Sequence, residues 1–342
     1  MLRRPVHVVR TAGPVNACRF VYFRDIFSWV AAAAAAPAGT IMKAIFLDCN
    51  DQLAPVWARV VRPDDPPIDV NRKAFARDEL PKIIGGYDIA IDDHSYMPTP
   101  LVAQCPELKH IVFLGTGPAS YMNVGELNER GIRVHIIKGY GDTAVAEHTI
   151  ALLWTCARDL ARMDREVRRG VWTPHEGVQL LGKTLGVIGL GGIGREVARI
   201  GKGMGMNVIG WNRTRHSEID VPLVDIDTLL ARADIVSMNL TLGDETRGFL
   251  SAARIARMKK GVIYVNTARG ALADEAALIA ALKSGHIRHA GLDVFHNEPL
   301  PADHPLAKLE NVTLSAHAAF RTPEASETLL RRAIDIVKRI TA

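Results

Sequence analysis

The stretch "KTLGVIGLGGIGREVARIGKGMGMNVIGWN", residues 183–212, decides the fold of this 342-residue chain. A short apolar run leads into Gly189-x-Gly191-x-x-Gly194, which is followed by a helical pattern and a second apolar run. Apolar residues within 193–200 recur at the spacing of one helix face. A glycine triplet in this strand–turn–helix–strand context predicts a dinucleotide-binding Rossmann unit, which the bare motif alone would not.

Each position in the turn has a physical reason. Gly189 permits the tight turn, Gly191 lets the backbone approach a pyrophosphate, and Gly194 lets the helix pack closely on the strand. The backbone N–H groups of Gly192 and Ile193 then face an anion at the helix N-terminus. We therefore expect the pyrophosphate of a dinucleotide to bind here.

The end of the second apolar run predicts which dinucleotide binds. An acid at this point hydrogen-bonds the ribose 2′-hydroxyl and repels a 2′-phosphate. Here the chain has Asn212, followed by Arg213, Thr214 and Arg215. Arginines give a 2′-phosphate charge-assisted hydrogen bonds, so the sequence favours NADP(H). Binding of NAD(H) stays open, with Asn212 on the ribose and the arginines in solvent.

Short apolar runs alternate with helical patterns from Met42 onward. Strands separated by helices form βαβ units in a parallel sheet that is buried on both faces. The predicted strands are 43–48, 87–92, 108–115, 131–137, 184–190, 207–212, 233–240, 261–267, 289–295 and 311–316. The sequence therefore predicts an α/β fold with two doubly wound parallel-sheet domains.

Two long helical patterns set the predicted domain boundaries. One helix is expected over 143–169, ending at Gly170, and a last one from Thr322, whose Thr-Pro-Glu start provides a cap. We assign 143–317 to a Rossmann NAD(P)-binding domain. A discontinuous, flavodoxin-like substrate domain takes 42–142 and 318–342, because the last helix is expected to return to it. Residues 1–41 are interpreted as an extension outside the fold, with a targeting peptide or a structural arm as alternatives.

Composition narrows the class of protein further. Five of the 42 basic residues lie within 1–41 with one acid, a net of +4, so the remainder carries only +1 of the formal +5. No basic stripe predicts nucleic-acid binding, and no apolar run is long enough to span a membrane. The four cysteines are far apart in sequence, which disfavours a metal site or a disulfide framework and favours a cytoplasmic protein.

Three later segments carry reactive side chains at predicted strand ends. Arg269 follows the run 261–267, and His317 comes after 311–316. Asp293 lies near the end of the run 289–295, and Glu298 follows that run. The carboxyl ends of parallel strands are where α/β sheets bind ligands. These segments, with "AVAEHTIALL" and "DETRGFL", resemble the D-isomer-specific 2-hydroxyacid dehydrogenase family over essentially all of 42–342.

The resemblance implies a catalytic triad of Arg269, Glu298 and His317, and their chemistry fits those roles. A guanidinium offers the fork geometry that clamps a 2-oxoacid. A protonated imidazole donates the proton that a reduced carbonyl needs, and a neighbouring carboxylate stabilises the protonated ring. The resemblance also assigns Asp293 to the nicotinamide carboxamide, and Thr267 and Ala268 to the cofactor.

The substrate loop departs from the family pattern. In "DDHSYMPT", residues 92–99, Asp93 stands where phosphoglycerate-type members have an arginine. An acid there repels a phosphorylated substrate, and in the next loop Ala119 replaces the usual Asp. Candidate substrate contacts are Arg269 and four loop residues: His94, Ser95, Tyr96 and Gly117.

These residues together predict an NAD(P)H-dependent reductase that acts on a small 2-oxoacid of the glyoxylate or hydroxypyruvate type. The product would be the D-2-hydroxyacid, no metal is required, and the partner is expected to be a second copy of the chain. Two alternatives stay open: a phosphoglycerate dehydrogenase-type enzyme, and a non-catalytic cofactor-sensing protein like the corepressors that share this scaffold.

Overall fold

A computed structural model describes residues 42–214 and 220–342. Within these ranges the chain forms two parallel sheets, one of five strands and one of six. The predicted fold class, with two α/β units built on parallel sheets, is therefore confirmed. The predicted extension 1–41 and the predicted cofactor contact Arg215 lie outside the described residues.

The first sheet has the strand order β2-β1-β3-β4-β5. This is the flavodoxin-like order, in which the direction of winding reverses between β1 and β3. The strands are β1 (Ala44–Phe46), β2 (Ile68–Val70), β3 (Ile89–Asp92), β4 (His110–Phe113) and β5 (Arg133–Ile136). Of these, only β2 was not predicted from the sequence.

Helices cover both faces of this sheet. In the first part of the chain they are α1 (Ala54–Val60), α2 (Leu80–Ile84), α3 (Thr99–Val102) and α4 (Val124–Glu129). The last helix, α11 (Pro323–Thr341), places Leu330, Ala333, Ile334 and Val337 in the core formed with β1 and β3. As predicted, Thr322 caps it, accepting a hydrogen bond from the Ala325 N–H at 3.1 Å.

The second sheet has the strand order β7-β6-β8-β9-β10-β11. Its strands are β6 (Thr184–Ile188), β7 (Asn207–Trp211), β8 (Ile235–Met238), β9 (Val262–Asn266), β10 (Ile287–Leu292) and β11 (Val312–Leu314). In the described part of the chain, one isolated parallel bridge pairs Gly210 of β7 with Leu223. The order reverses between β6 and β8, where such sheets bind their ligands.

Among residues 42–214 and 220–342, the helices that flank the second sheet are α5 (Asp142–Arg158), α6 (Leu160–Arg168), α7 (Gly192–Gly203), α8 (Ile226–Arg232), α9 (Ala252–Ala256) and α10 (Glu275–Lys283). The prediction of one uninterrupted helix over 143–169 is wrong. Asp159 adopts a left-handed conformation with φ 55° and divides the segment into α5 and α6. Its carboxylate faces the buried His289 of β10, with Oδ1 3.6 Å from Nδ1.

Different helices pack on the two sheets. Helix α5 packs on β9 and β10 of the second sheet, whereas α11 packs on α1 and β4 of the first unit. The boundaries 42–142 with 318–342, and 143–317, stay an interpretation. Among the described residues, no helix is long and apolar enough to cross a membrane. No group of three or more His, Cys, Asp or Glu side chains in 42–214 or 220–342 is arranged to hold a metal ion.

Candidate active site

The glycine turn forms an open cradle at the N-terminus of α7. Gly189 has φ 92°, in the left-handed region that favours glycine. A Cβ atom at Gly194 would lie 1.9 Å from the Gly189 carbonyl oxygen, so only glycine lets the helix approach the strand. A Cβ atom at Gly191 would have no atom within 4 Å, so this face is open. These observations fit the binding of a dinucleotide pyrophosphate.

The two other turn residues differ in their surroundings. Gly192 lies against α5, because a Cβ atom there would be 1.7 Å from the Asp142 Oδ2 atom. Ile193 packs partly buried against the core of the second sheet. Burial raises the pKa of Asp142, while the Arg332 guanidinium opposes the shift. The first residue of α5 therefore lies against the turn at Gly192.

Asn212 is held in place by the glycine turn. Its Oδ1 atom accepts a hydrogen bond from the Leu190 N–H at 3.0 Å, and its Nδ2 atom donates to the Thr214 carbonyl at 2.6 Å. The Arg213 side chain is exposed and forms an ion pair with Glu245 at 2.6 Å. The end of β7 thus carries an amide and a guanidinium. At this position an Asp or Glu would hydrogen-bond the ribose 2′-hydroxyl of NAD.

Arg269 follows β9 and is positioned by its own turn. Asn266 is buried, and its Nδ2 atom donates to the Arg269 carbonyl at 2.9 Å. The guanidinium donates to the Ala268 carbonyl through Nη1 at 2.7 Å. It lies against the backbone of Gly117, because a Cβ atom there would be 2.6 Å from Arg269 Nη2. The structure therefore brings together two of the predicted substrate contacts, Arg269 and Gly117.

His317 and Glu298 form a hydrogen-bonded pair. The His317 Nδ1 atom lies 2.7 Å from Glu298 Oε2, and Glu298 Oε1 accepts the Phe295 N–H at 2.9 Å. Burial raises the pKa of Glu298, but these two hydrogen bonds and the Arg269 charge outweigh it, so the pKa lies below its usual value. Glu298 is therefore a carboxylate at neutral pH, and the His317 Nε2 atom is left for a substrate.

Asp293 fixes the backbone around His317. His317 has φ 49°, a left-handed conformation that costs a non-glycine residue about 1–2 kcal/mol. Its N–H donates to the Asp293 carbonyl at 2.8 Å. The Asp293 carboxylate accepts the N–H groups of Ala318 and Ala319 at 3.0 and 2.9 Å. Burial raises the pKa of Asp293, but hydrogen bonds from side chains and backbone lower it below its usual value.

A polar chain connects Asp293 to α5. The Ser315 hydroxyl donates to Asp293 Oδ1 at 2.6 Å, and the His148 Nε2 atom lies 2.9 Å from that hydroxyl oxygen. The Asp293 side chain is 0 % exposed, so its oxygens are directed at the protein in this structure. Its predicted contact with the nicotinamide carboxamide stays a prediction.

Thr267 and Ala268, the other predicted cofactor contacts, continue from β9 towards Arg269. The Thr267 hydroxyl is buried and lies 2.8 Å from the Thr149 hydroxyl of α5. The Ala268 N–H donates to Asn266 Oδ1 at 3.0 Å. Both residues therefore lie between β9 and Arg269, with these polar atoms in contact with protein.

The substrate loop directs its three predicted contacts to different places. The His94 Nδ1 atom lies 2.8 Å from the Asp93 carboxylate, and the His94 ring contacts that of Tyr121 with centroids 5.1 Å apart. The Ser95 hydroxyl instead donates to Asp48 Oδ2 at 2.8 Å. The Arg77 guanidinium lies over the Tyr96 ring, with its Cζ atom 4.4 Å from the ring centroid. Of the three, only His94 faces the aromatic groups near the triad.

Buried acids hold this loop. Asp48 follows β1 and accepts the backbone N–H groups of Asp93, His94 and Ser95 at 2.8, 3.1 and 3.1 Å. Burial raises the pKa of Asp48, and burial together with the Asp48 charge raises the pKa of Asp92 well above its usual value. The loop therefore keeps its shape through the hydrogen bonds that its backbone donates to the Asp48 carboxyl.

The sequence did not predict the aromatic wall of the site, which consists of Phe320, Tyr121 and Tyr140. The Phe320 ring lies between two histidines, with centroids 6.2 Å from those of His317 and His94. Tyr140 contacts Phe320 at 6.4 Å, and burial raises the pKa of Tyr140 to about 12. The available signal was position: Tyr121 and Tyr140 follow β4 and β5 at the carboxyl edge of the first sheet.

The sequence of this chain is similar to those of known proteins. Residues 150–319 match the family described as D-isomer specific 2-hydroxyacid dehydrogenase, NAD binding domain. The chain is 36 % identical over 280 residues to the hydroxypyruvate reductase of Thermotoga maritima, covering 80 % of this chain and 90 % of that protein. It is 38 % identical over 261 residues to the D-3-phosphoglycerate dehydrogenase of Archaeoglobus fulgidus, covering 74 % of this chain but only 49 % of that protein.

A solved structure agrees with these relatives. The apo-structure of D-lactate dehydrogenase from Escherichia coli superposes with a TM-score of 0.77 at 27 % identity, covering 87 % of this chain and 96 % of that one. The fold and the site thus define an oxidoreductase that uses a nicotinamide cofactor. The chain belongs to the D-isomer specific 2-hydroxyacid dehydrogenase family.

Proposed function

We propose that this 2-hydroxyacid dehydrogenase reduces a small 2-oxoacid of the glyoxylate or hydroxypyruvate type to its D-2-hydroxyacid, with NADP(H) favoured over NAD(H). The observation that carries the proposal is the proximity of three side chains, those of His317, Glu298 and Arg269. His317 Nδ1 lies 2.7 Å from Glu298 Oε2, and the Arg269 guanidinium lies against Gly117. All three side chains lie at the aromatic wall.

Arg269 binds the substrate. A planar guanidinium donates two parallel hydrogen bonds to a carboxylate or to a carboxylate and keto oxygen pair. One of its terminal nitrogens already lies against the Gly117 backbone, so a substrate held by Arg269 also meets the loop after β4. The nicotinamide cofactor supplies the hydride when it is bound.

His317 supplies the proton. Its Nδ1 atom is engaged with Glu298, which leaves Nε2 to donate a proton to the oxygen that becomes the hydroxyl. The ionised Glu298 stabilises the charged ring before the transfer. A positioned acid of this kind contributes about 10²–10⁴ in rate. In the reverse direction the neutral ring accepts the hydroxyl proton.

The first unit argues for a small substrate without a phosphate. Asp93 is 7 % exposed and holds His94, so the loop after β3 presents an acid–imidazole pair and no arginine. A phosphorylated oxoacid would meet the Asp93 charge without a compensating cation on this loop. The rings of Phe320 and Tyr121 both contact His94 and so leave less room for a large substrate beside this loop. This argues against the phosphoglycerate dehydrogenase-type alternative.

The cofactor preference rests on the end of β7. Asn212 replaces the acid that would repel a 2′-phosphate, and the exposed Arg213 guanidinium provides a cation two residues beyond Trp211. Thr214 follows, and its carbonyl is bound by Asn212. Asp293, Thr267 and Ala268 are assigned to the nicotinamide end of the same cofactor. No metal ion is assigned a role in this mechanism.

We also propose that the protein forms a homodimer. Apolar side chains on α6 and in the segment after it are exposed to solvent: Leu160, Val167, Val171, Trp172 and Leu181. Trp172 is 87 % exposed, which is unusual for so large an apolar side chain. A second copy that covers this face would remove these groups from water. The cytoplasmic location predicted from the sequence stays a prediction.

Steady-state kinetics with the purified chain test the substrate and cofactor together. We expect glyoxylate or hydroxypyruvate to give the highest kcat/KM in a panel that also contains pyruvate, phenylpyruvate and 3-phosphohydroxypyruvate. NADPH should be used with a lower KM than NADH. A phosphorylated oxoacid as the best substrate, or a lower KM for NADH, would contradict the corresponding part of the proposal.

A further inference from the structure

The ion pair between Arg213 and Glu245 lies at the position that reads the ribose of the cofactor. The Arg213 Nη1 atom is 2.6 Å from Glu245 Oε2, and the two side chains are 74 % and 78 % exposed. An exposed pair of this kind contributes only about 0–1 kcal/mol to stability. Because it is weak, a ligand that carries more charge than one carboxylate can open it.

The fold holds these two exposed side chains next to each other. The Trp211 ring at the end of β7 packs on the Phe249 ring with centroids 4.9 Å apart. Arg213 is two residues beyond Trp211, and Glu245 is four residues before Phe249. Packing in the core therefore fixes the proximity of two side chains that are themselves in solvent.

A tight turn fixes the position of Glu245. The Thr246 hydroxyl donates to the Thr241 carbonyl at 2.7 Å and accepts the Gly243 N–H at 2.8 Å. The Thr246 and Arg247 N–H groups both donate to the Gly243 carbonyl, at 3.0 and 2.9 Å. This turn belongs to the "DETRGFL" segment, to which the proposed reaction assigns no role. Its geometry places one carboxylate beside the only described arginine of the "NRTR" segment.

We propose that Glu245 is a specificity-determining residue that competes with the 2′-phosphate of NADP(H) for Arg213. The inference rests on the proposed contact between Arg213 and that phosphate. To bind Arg213, the phosphate must displace the Glu245 carboxylate and then remain near its negative charge. NAD(H) has no phosphate there and leaves the pair intact. Glu245 therefore weakens binding of NADP(H) alone and keeps NAD(H) usable.

The test measures cofactor affinity and does not depend on turnover. The dissociation constants of NADPH and NADH are measured by fluorescence titration at low ionic strength for the wild type and for Glu245→Gln. We expect the variant to bind NADPH about three- to tenfold more tightly, with NADH affinity unchanged within about twofold. The gain should shrink in high salt, because the pair is exposed.

Two further variants assign the effect. In the Arg213→Ala background, Glu245→Gln should no longer improve NADPH binding, since the competing partner is gone. Glu327→Gln is the control, because Glu327 forms a similar exposed pair with Arg59 at 3.0 Å on the first unit. It removes the same charge from the protein and should alter neither dissociation constant.

The outcomes separate the two claims. If Arg213→Ala weakens NADPH selectively but Glu245→Gln changes both cofactors equally or neither, the inference about Glu245 is overturned and the cofactor preference stands. If Arg213→Ala does not weaken NADPH selectively, the proposed phosphate contact is overturned, and the inference with it.

Discussion

The Nδ1 atom of His317 and the Oε2 atom of Glu298 lie 2.7 Å apart, although the two residues are separated by 19 positions in the chain. His317 reaches this position in a left-handed backbone conformation, φ 49°, in which its N–H donates to the Asp293 carbonyl. The pair therefore depends on a local strain that the buried Asp293 offsets. Such strain at a pair of titratable groups is typical of a reaction centre.

Replacing Glu298 by Gln tests the electrostatic part of this pair. The amide keeps the shape and a hydrogen-bonding oxygen but loses the charge that stabilises protonated His317. We expect the reduction rate at neutral pH to fall at least about tenfold. Initial rates at about pH 7 measure this effect.

Glu275→Gln is the matched control for that variant. Glu275 lies 3.5 Å from His304, a His–Glu pair that has no place in the proposed reaction. Its replacement should leave the reduction rate close to that of the wild type. An unchanged rate in Glu298→Gln would show that Glu298 does not act through its charge.

Gly117→Ala tests the position of Arg269. The added Cβ atom would be 2.6 Å from Arg269 Nη2, so the end of this long side chain must move while the backbone stays. We expect the KM for the oxoacid to rise at least about tenfold while cofactor affinity is kept, because a substrate clamp is sensitive to displacements of about 1 Å.

Gly125→Ala controls for the substitution itself. A Cβ atom at Gly125 would meet only Asn123 Oδ1, at 3.4 Å, an ordinary contact in α4. This variant should behave as the wild type. Equal KM values for Gly117→Ala and the wild type would show that Gly117 and Arg269 do not form one substrate-binding site.

Trp172→Ser tests the proposed dimer. Exposed apolar side chains on one face favour association, so a polar residue at its most exposed position should weaken it. Sedimentation equilibrium is expected to give the mass of two chains for the wild type and a mass closer to one chain for the variant. Val61→Ser, at an exposed apolar residue of the first unit, should remain dimeric. A monomeric wild type would contradict the proposal.

Asp65 ties the last helix to the start of the fold, and its effect depends on pH. The Arg331 guanidinium donates to both Asp65 oxygens at 2.7 Å and lowers the pKa of Asp65 to about 2. Because the folded pKa is below the unfolded one, the pair stabilises the fold above pH ~4 and loses this effect as the pH falls towards about 2.

Asp65→Asn should therefore lower the free energy of unfolding by about 1–2 kcal/mol at pH 7, with the difference from the wild type narrowing towards pH 3. Urea unfolding at several pH values measures this difference. The adjacent Asp64→Asn is the control, since Asp64 pairs with Lys338 on the exposed surface and should change stability little. A difference that is constant with pH would contradict the assignment.

The parts of the fold that follow from local physics could be predicted from the sequence. The glycine turn was predictable because the φ of Gly189 and the close approach at Gly194 allow no other residue. The buried strands were predictable because parallel strands covered on both faces are continuously apolar. The proposed triad of Arg269, Glu298 and His317 rests on the order of strand ends, combined with the family resemblance, and stays a prediction.

The misses have non-local causes. Strand β2 is three residues long and largely exposed, so it has no apolar run to signal it. The break at Asp159 is a single left-handed residue within a continuous helical pattern, which that pattern does not report. Phe320 and Tyr140 become a wall of the site only when two loops and the segment after β11 come together. Glu245 gained its relation to Arg213 in the same way, through packing between Trp211 and Phe249.

The most direct test of the account is the product formed from hydroxypyruvate and NADPH, separated by chiral chromatography, for the wild type and for His317→Ala. The account predicts D-glycerate from the wild type, formed in step with loss of absorbance at 340 nm, and a rate at least about a hundredfold lower in His317→Ala with NADPH binding retained. L-glycerate as the product, or equal rates for the two proteins, would contradict it.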